Sequence, residues 1–298
     1  MILSIQNVVK RYQKHTAVDN VSFDVPKGSV FGLLGPNGAG KTSLIRMITT
    51  ITAPDEGQIF LDGQKLNADS PNLIGYMPEE RGLYKKMKVG EHLLYLAQLK
   101  GLSPANARKE IDAWLEKFEI TDWWSKKVED LSKGMQQKIQ FIATVVHRPK
   151  LLILDEPFTG LDPINSNLIK DEIAALNASG ISIIFSTHRM EQVEEMCDHI
   201  VLINRGKNVL QGEVKSIKNE YKQNLFLVES DSALPEDFRN RFSVAAEEKN
   251  RVTVRLEAEN EAERLLRYLL DQKVKIQRFE ELLPTFNEIF IARVGETA

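Results

Sequence analysis

Eight consecutive residues, Gly35-Pro36-Asn37-Gly38-Ala39-Gly40-Lys41-Thr42, fit the spacing G-x-x-x-x-G-K-[ST] in full. The chemistry this spacing suits is the holding of a polyphosphate. Phosphate is large and highly charged, so the chain must wrap it closely, and glycine lets backbone come near with positive φ. Backbone N–H groups then point inward, and the N-terminus of a following helix adds a favourable field. Lys41 is placed to neutralise charge on the β- and γ-phosphates, and the Thr42 hydroxyl to ligate Mg²⁺. Ser43, next along, is counted with the cradle.

A second constellation stands at the end of an apolar run. Residues 151–154, Leu-Leu-Ile-Leu, lead directly into Asp155 and Glu156. In parallel sheets ligands bind at the carboxyl edge of such strands. Asp155 is then the Mg²⁺ ligand, directly or through water, and Glu156 the general base that polarises an attacking water. A solvated acidic turn would look the same in isolation; the upstream phosphate cradle favours the chemical reading.

Several elements must position these groups. Residues 2–8, 22–25 and 30–34 are short β-rich runs, with a turn at Pro26-Lys27-Gly28. Residues 43–51 look helical, and Asp62-Gly63 reads as a hairpin turn. Residues 88–146 change to helical patterning, with Ser103-Pro104 as a start signal. Residues 151–154 and 181–185 are unalternating apolar runs around a helix that starts at Asp162-Pro163, the pattern of a buried parallel sheet. Residues 200–210 read as a hairpin and residues 211–224 are polar and lysine-rich. The expected division is a first unit over 1–215 with a helical subdomain at about 84–146, a linker at 216–224, and a small α+β unit over 225–298 whose last helix opens with the capping box Thr285-Phe286-Asn287-Glu288.

Composition narrows the setting. The chain has 298 residues, 42% of them hydrophobic, and a formal net charge of −3, so it lacks the basic excess of a nucleic-acid binder. A single cysteine, Cys197, rules out an internal disulfide and suits a reducing, cytoplasmic setting. No run approaches the roughly 20 apolar residues of a membrane span, so any membrane role is expected to come through a partner.

Further motifs carry a family resemblance. Leu131-Ser132-Lys133-Gly134-Met135-Gln136-Gln137, just before the acidic strand, resembles the signature of ABC ATPases, usually written LSGGQ. Gly160-Leu161-Asp162 resembles that family's D-loop, Ser186-Thr187-His188 its switch histidine, and Tyr12 with the following Ala17-Val18 its adenine-stacking aromatic. The resemblance covers roughly residues 1–215. It implies an α/β P-loop NTPase of ABC type, with a mixed sheet, an antiparallel β subdomain and a helical subdomain. It also implies ATP and Mg²⁺, Tyr12 on the base, Ser132, Gly134 and Asp162 at the partner's nucleotide, and His188 on the γ-phosphate. In this family the signature of one subunit completes the site of the other. The implied partners are therefore a second ATPase subunit, identical or related, and an integral membrane permease on whose inner face the protein sits.

The chain departs from the family at Glu79, where glutamine is usual and contacts Mg²⁺, and at Lys133 and Met135 in the signature. These features, with the run 78–84 and Asn287-Glu288-Ile289-Phe290, resemble a bacterial exporter branch that includes sodium-efflux subunits and carries a small C-terminal domain. A non-transport or regulatory ABC ATPase is the alternative. The transporter reading predicts a hydrophobic groove beside residues 79–100, with Tyr84, Met87, Leu93 and Leu94 as candidate lining.

Overall fold

A computed structural model of the chain describes residues 1–13, 15–80, 82–257 and 260–296. It separates into two units, residues 1–213 and 214–298.

The first unit opens with β1 (Leu3–Tyr12), β2 (His15–Val25) and β3 (Val30–Leu34), followed by α1 (Lys41–Ile48). Then come β4 (Glu56–Leu61), β5 (Gln64–Lys65) and β6 (Ile74–Met77). Three helices follow, α2 (Val89–Leu99), α3 (Pro104–Lys117) and α4 (Lys133–Val145). The unit closes with β7 (Leu151–Asp155), α5 (Pro163–Ala178), β8 (Ser182–Thr187), α6 (Met190–Met196), β9 (His199–Asn204) and β10 (Lys207–Glu213).

Two sheets form. One is antiparallel, in the order β2-β1-β4-β5; the other runs β10-β9-β3-β8-β7-β6, parallel except for β10. Every residue of β3, β7 and β8 is buried, which is why these strands read as unbroken apolar runs. Val8, Val21 and Ile59 of the antiparallel sheet share one core with Leu33, Ile153, Ile184 and Val201 of the parallel one.

β1 and β2 extend well beyond the runs expected at 2–8 and 22–25. Register shifts after Ile5, Val8 and Lys10, with Asn7 and Asn20 at positive φ, break the alternation that marks a strand in sequence.

In the helical subdomain, Ser103 caps α3 by accepting from the Asn106 amide at 3.3 Å, and Pro104 takes the first helical position. Trp114 of α3 and Phe118, which follows its last residue, pack against Phe141 of α4. Gly90 admits no side chain, because a Cβ there would lie 2.3 Å from the Trp124 ring.

The second unit comprises α7 (Val214–Glu220), β11 (Leu225–Ser230), α8 (Phe238–Arg241), β12 (Ser243–Glu248), β13 (Arg251–Arg255), α9 (Glu261–Asp271), β14 (Ile276–Leu282) and α10 (Phe286–Glu296). From β11 to β14 the order is β-α-β-β-α-β, and the antiparallel sheet runs β12-β13-β11-β14, a split βαβ arrangement. Its core gathers Val228, Phe238, Val252, Val254, Leu265 and Leu269. Thr285 and Glu288 exchange the two capping-box hydrogen bonds at 2.7 and 3.2 Å. The segment expected as a linker over 216–224 is largely helical instead. Val214 and Ile217, one turn apart, are both buried and give α7 an apolar face that its lysines conceal in the composition.

His92 of α2 is fully buried, and neither ring nitrogen has a hydrogen-bond partner. Burial drives its pKa down to about 4. As pH falls below the ordinary histidine value near 6.5, the unfolded chain takes up a proton that the folded chain refuses. The stability His92 allows is therefore complete above about pH 6.5 and lost progressively toward pH 4. A urea-unfolding series at pH 7 and pH 4 is expected to show His92→Phe shedding about 3 kcal/mol of that acid sensitivity; an unchanged pH slope would exclude His92 as its source.

Candidate functional site

The parallel register brings the chemistry to one edge. Leu34 of β3 pairs with Thr187 of β8, Asp155 of β7 with Ser186, and Met77 of β6 with Leu154. The segments that leave these strands, 35–40, 78–79, 156–157 and 188–189, therefore emerge side by side at their carboxyl ends.

The 35–40 loop turns tightly before α1. Gly40 is the helix cap at φ 112°, where a Cβ would stand 2.3 Å from the Ala17 carbonyl oxygen. Gly35, at φ 146°, lies equally close to the Ile203 carbonyl, 2.1 Å from where a Cβ would be. Both positions exclude a side chain and leave the first-turn amides of α1 without intrahelical acceptors. Lys41 is buried and folds back on its own loop, its Nζ donating to the carbonyls of Gly35 at 2.6 Å and Pro36 at 3.1 Å. Burial lowers its pKa, while Glu156, Asp155 and Glu79 hold it up.

A cavity of about 290 Å³ joins Asn37 to Ser43 with Tyr12, Glu79, Asp155 and Glu156. Gly35 and Pro36 do not line it, and Tyr12, which does, is 40% exposed. His15, which the motifs did not single out, also lines it, as does Ala17, quoted there only in company with Tyr12. The signal for His15 lies in pairing: it stands directly across the β1–β2 hairpin from Tyr12.

Asp155 and Glu156 are both buried. Burial pushes the Asp155 carboxyl up; Glu156 adds to the shift and Lys41 opposes it. Glu156 takes φ 50°, and its amide donates to the Ser186 carbonyl at 2.9 Å. Its carboxylate accepts from the His188 amide at 2.9 Å and the Thr187 hydroxyl at 3.2 Å, and meets His188 Nδ1 at 2.6 Å. Thr187, quoted in the sequence only as part of the switch-histidine motif, is thus a further partner of Glu156.

Ser132, Gly134 and Asp162 do not line this cavity. Ser132 caps α4, accepting from the Met135 amide at 3.3 Å. Asp162 caps α5, accepting from the Asn165 amide at 2.9 Å, a bond that holds its carboxyl below the usual range. The two caps are neighbours, since a Cβ on Gly134 would touch the Leu161 side chain at 3.7 Å. Gln137 ties α4 to the acidic strand by donating to the Pro157 carbonyl at 2.9 Å. Beside Asp162, Ile164 is 82% exposed.

The oxygen donors of the cavity suit a hard cation. Thr42, Glu79 and Asp155 all face it, and among the described residues no three carboxylate, imidazole or thiol groups cluster closely enough to hold a metal alone. These oxygens fit a Mg²⁺ ion, whose remaining ligands would come from phosphate and water.

A groove of about 400 Å³ lies beside α2. Its apolar lining includes Leu83, Leu96 and Leu99, whereas Tyr84, Met87, Leu93 and Leu94 do not line it. Leu93 points into the core at 0% exposure, so the helical phase of α2 places its neighbours three and six residues on at the groove. Arg81, in the 78–84 run, lies outside the described residues.

A phosphate cradle and an acid pair at the carboxyl edge of a buried parallel sheet define a P-loop nucleotide-hydrolysing domain. Residues 18–159 match the family model described as ABC transporter, and residues 212–294 match that of the ATP-binding protein DrrA1-3-like C-terminal domain. The chain is 45% identical over 295 residues to the uncharacterized ABC transporter ATP-binding protein YhaQ of Bacillus subtilis (strain 168), covering 99% of each. It is 37% identical over 215 residues to the Nod factor export ATP-binding protein I of Ralstonia nicotianae, covering 71% of this chain and 67% of that one. A solved ATP-binding subunit of an ABC transporter superposes with a TM-score of 0.70 at 29% identity, over 74% of this chain and 93% of the other. The chain belongs to the ABC transporter ATP-binding proteins and is an ATP-hydrolysing cassette with a DrrA-like C-terminal domain.

Replacing Lys41 by alanine removes the one cation buried in the cradle. Titration with a fluorescent ATP analogue is expected to show at least about a hundredfold loss of affinity, the scale of a lost buried charge contact. Retained micromolar binding would remove Lys41 from the phosphate site.

Proposed function

We propose that this chain is one of two ATPase subunits that drive a separate membrane permease in the direction of export. The observation that carries the reading is the separation of the cradle from the signature. Asn37–Ser43 and Asp155-Glu156 share a cavity, while Ser132, Gly134 and Asp162 stand at capped helix starts outside it. Both sets bind phosphate well, and one chain does not bring them together. A second subunit, identical or related, supplies the missing half at each nucleotide. Ile164, exposed beside Asp162, gives that interface an apolar contact.

In this scheme Tyr12 stacks on adenine, with His15 beside it. Lys41 leaves the carbonyls of Gly35 and Pro36 for the β- and γ-phosphates. Thr42, Asp155 and Glu79 would hold Mg²⁺, which would neutralise phosphate charge. Glu79 brings a negative charge where the family has a neutral amide, so its contact with the nucleotide depends on that ion more strongly. Glu156 orients and deprotonates the attacking water. At rest its carboxylate is occupied by His188. When His188 turns its ring toward a γ-phosphate, one oxygen of Glu156 becomes free for water. Nucleotide thus favours the closed dimer by differential affinity, and hydrolysis removes that preference.

Support for the permease comes from two sides. No helix among the described residues is long and apolar enough to cross a membrane. The groove beside α2 is bordered by exposed Leu99 and Ile51, which suits a short helix of a partner. Similarity to a protein named for Nod factor export supports the export direction.

The test is Glu156→Gln. The amide still accepts from the His188 backbone but takes no proton. Turnover is expected to fall at least about a hundredfold, with ATP affinity kept and an ATP-dependent dimer visible by light scattering. Undiminished hydrolysis, or a variant that stays monomeric with ATP, would sink the scheme. Affinity purification from detergent-solubilised native membranes is expected to bring down a multi-span partner; its absence would sink the transporter reading.

A further inference from the structure

We propose that the second ATPase subunit is a further copy of this chain, and that Lys133 of the partner subunit supplies the positive charge that Glu79 demands in each cradle; this rests on the two-subunit reading above.

Glu79 stands against its own electrostatic surroundings. It is exposed and lines the cradle cavity beside two other carboxylates, Asp155 and Glu156. Among the described residues the lining holds one ammonium, Lys41. Burial lowers the Lys41 pKa and pushes that of Asp155 up; Glu79 opposes the first shift and adds to the second, so its charge reaches both groups. Polyphosphate brings more negative charge to the same space, and one divalent ion offsets only part of it. A third carboxylate at this edge therefore calls for a cation that the lining does not contain.

Lys133 has the opposite problem. It is the first residue of α4, where the helix's own field is positive and a lysine is disfavoured. The first turn of α4 has no acidic residue to offset it, and neither does the rest of its 13 residues. Glu129, four positions earlier, is engaged with Lys127 at 3.6 Å. Lys133 is exposed, so its charge is free to face another molecule. Sequences break a local rule of this kind where function recovers the cost elsewhere.

The two misplaced charges cancel when the signature of one chain meets the cradle of the other. Ser132 and Gly134 flank Lys133, so bringing them to a γ-phosphate brings the ammonium to the edge that Glu79 shares with Asp155. Closing the interface expels water, and a charge pair gains strength as solvent leaves. A twofold dimer repeats the pair at both nucleotides, because what one chain offers to the other it also receives. Each copy carries one surplus carboxylate and one surplus ammonium, and in a dimer of copies neither is left over. A related subunit with a neutral residue in place of Lys133 would leave Glu79 unanswered.

The experiment uses the full-length chain in its Glu156→Gln form with ATP and Mg²⁺, each further variant being shown first to melt as this form does. A trace of dye-labelled chain, with Lys133 or with Lys133→Met, is titrated with unlabelled chain carrying Glu79 or Glu79→Gln. Fluorescence anisotropy reads the mixed dimer. The labelled chain varies only at 133 and the unlabelled chain only at 79, so the second site is the same in all four titrations. Self-association of the unlabelled chain cancels when the two labelled chains are compared against it. Lys133→Met is expected to weaken the mixed dimer at least about tenfold against Glu79 and less than about threefold against Glu79→Gln, as for a close interfacial charge pair. With Lys133→Glu the gap between the two losses is expected to widen. Equal losses against both unlabelled chains, or no loss against either, overturn this proposal and leave the two-subunit reading standing. Failure of the chain with Lys133 and Glu79 to form any ATP-dependent dimer overturns both.

Discussion

A lysine buried at the end of a parallel sheet has to be balanced, and much of the first unit is arranged around that requirement. Lys41 lies where α1 begins, so its ammonium shares a small space with the positive end of a helix. Asp155, Glu156 and Glu79 supply the opposing charge from neighbouring strands. The balance is incomplete in a useful way. The lysine spends its hydrogen bonds on the carbonyls of its own loop, which are poor substitutes for phosphate oxygens. Burial, with Glu156 and Glu79 adding to it, holds Asp155 above its usual range. A phosphate chain entering with a divalent cation would resolve both imbalances together, so the resting electrostatics of the edge favour a nucleotide.

The scaffold makes this arrangement stiff. Buried on both faces, β3, β7 and β8 cannot slip by one residue, because polar groups would move into the core. Glu156 holds a left-handed backbone conformation that costs roughly 1 kcal/mol or more for a side chain of its kind. Its amide bond to Ser186 and the three contacts to Thr187 and His188 keep it there.

The phosphate cradle and acid pair were legible in the sequence because each is contiguous and sits against a strand with no polar interruption. The helical subdomain was legible through Ser103-Pro104 and the α3 stripe. What escaped reading depended on distance in sequence or on irregularity. His15 enters the cavity only because the hairpin folds it across from Tyr12, and Thr187 reaches the Glu156 carboxylate only because β8 lies next to β7. The β1–β2 hairpin hid behind its bulges. α7 hid because two buried residues, Val214 and Ile217, define its face among lysines. The groove was expected in the right region but with the wrong side chains, since the phase of α2 decides which leucines turn inward.

Cys197 gives this chain a property that bears on how it can be studied. The sole thiol is buried, burial pushes it up toward the unreactive protonated form, and its sulfur would stand 3.2 Å from a Cβ on Gly32 in β3. A folded molecule therefore offers alkylating reagents almost nothing. Cysteines introduced at the surface can carry spectroscopic labels without first removing the native one. Modification of Cys197 itself becomes a clock for the opening of the strand that feeds the cradle, readable by mass in a single peptide.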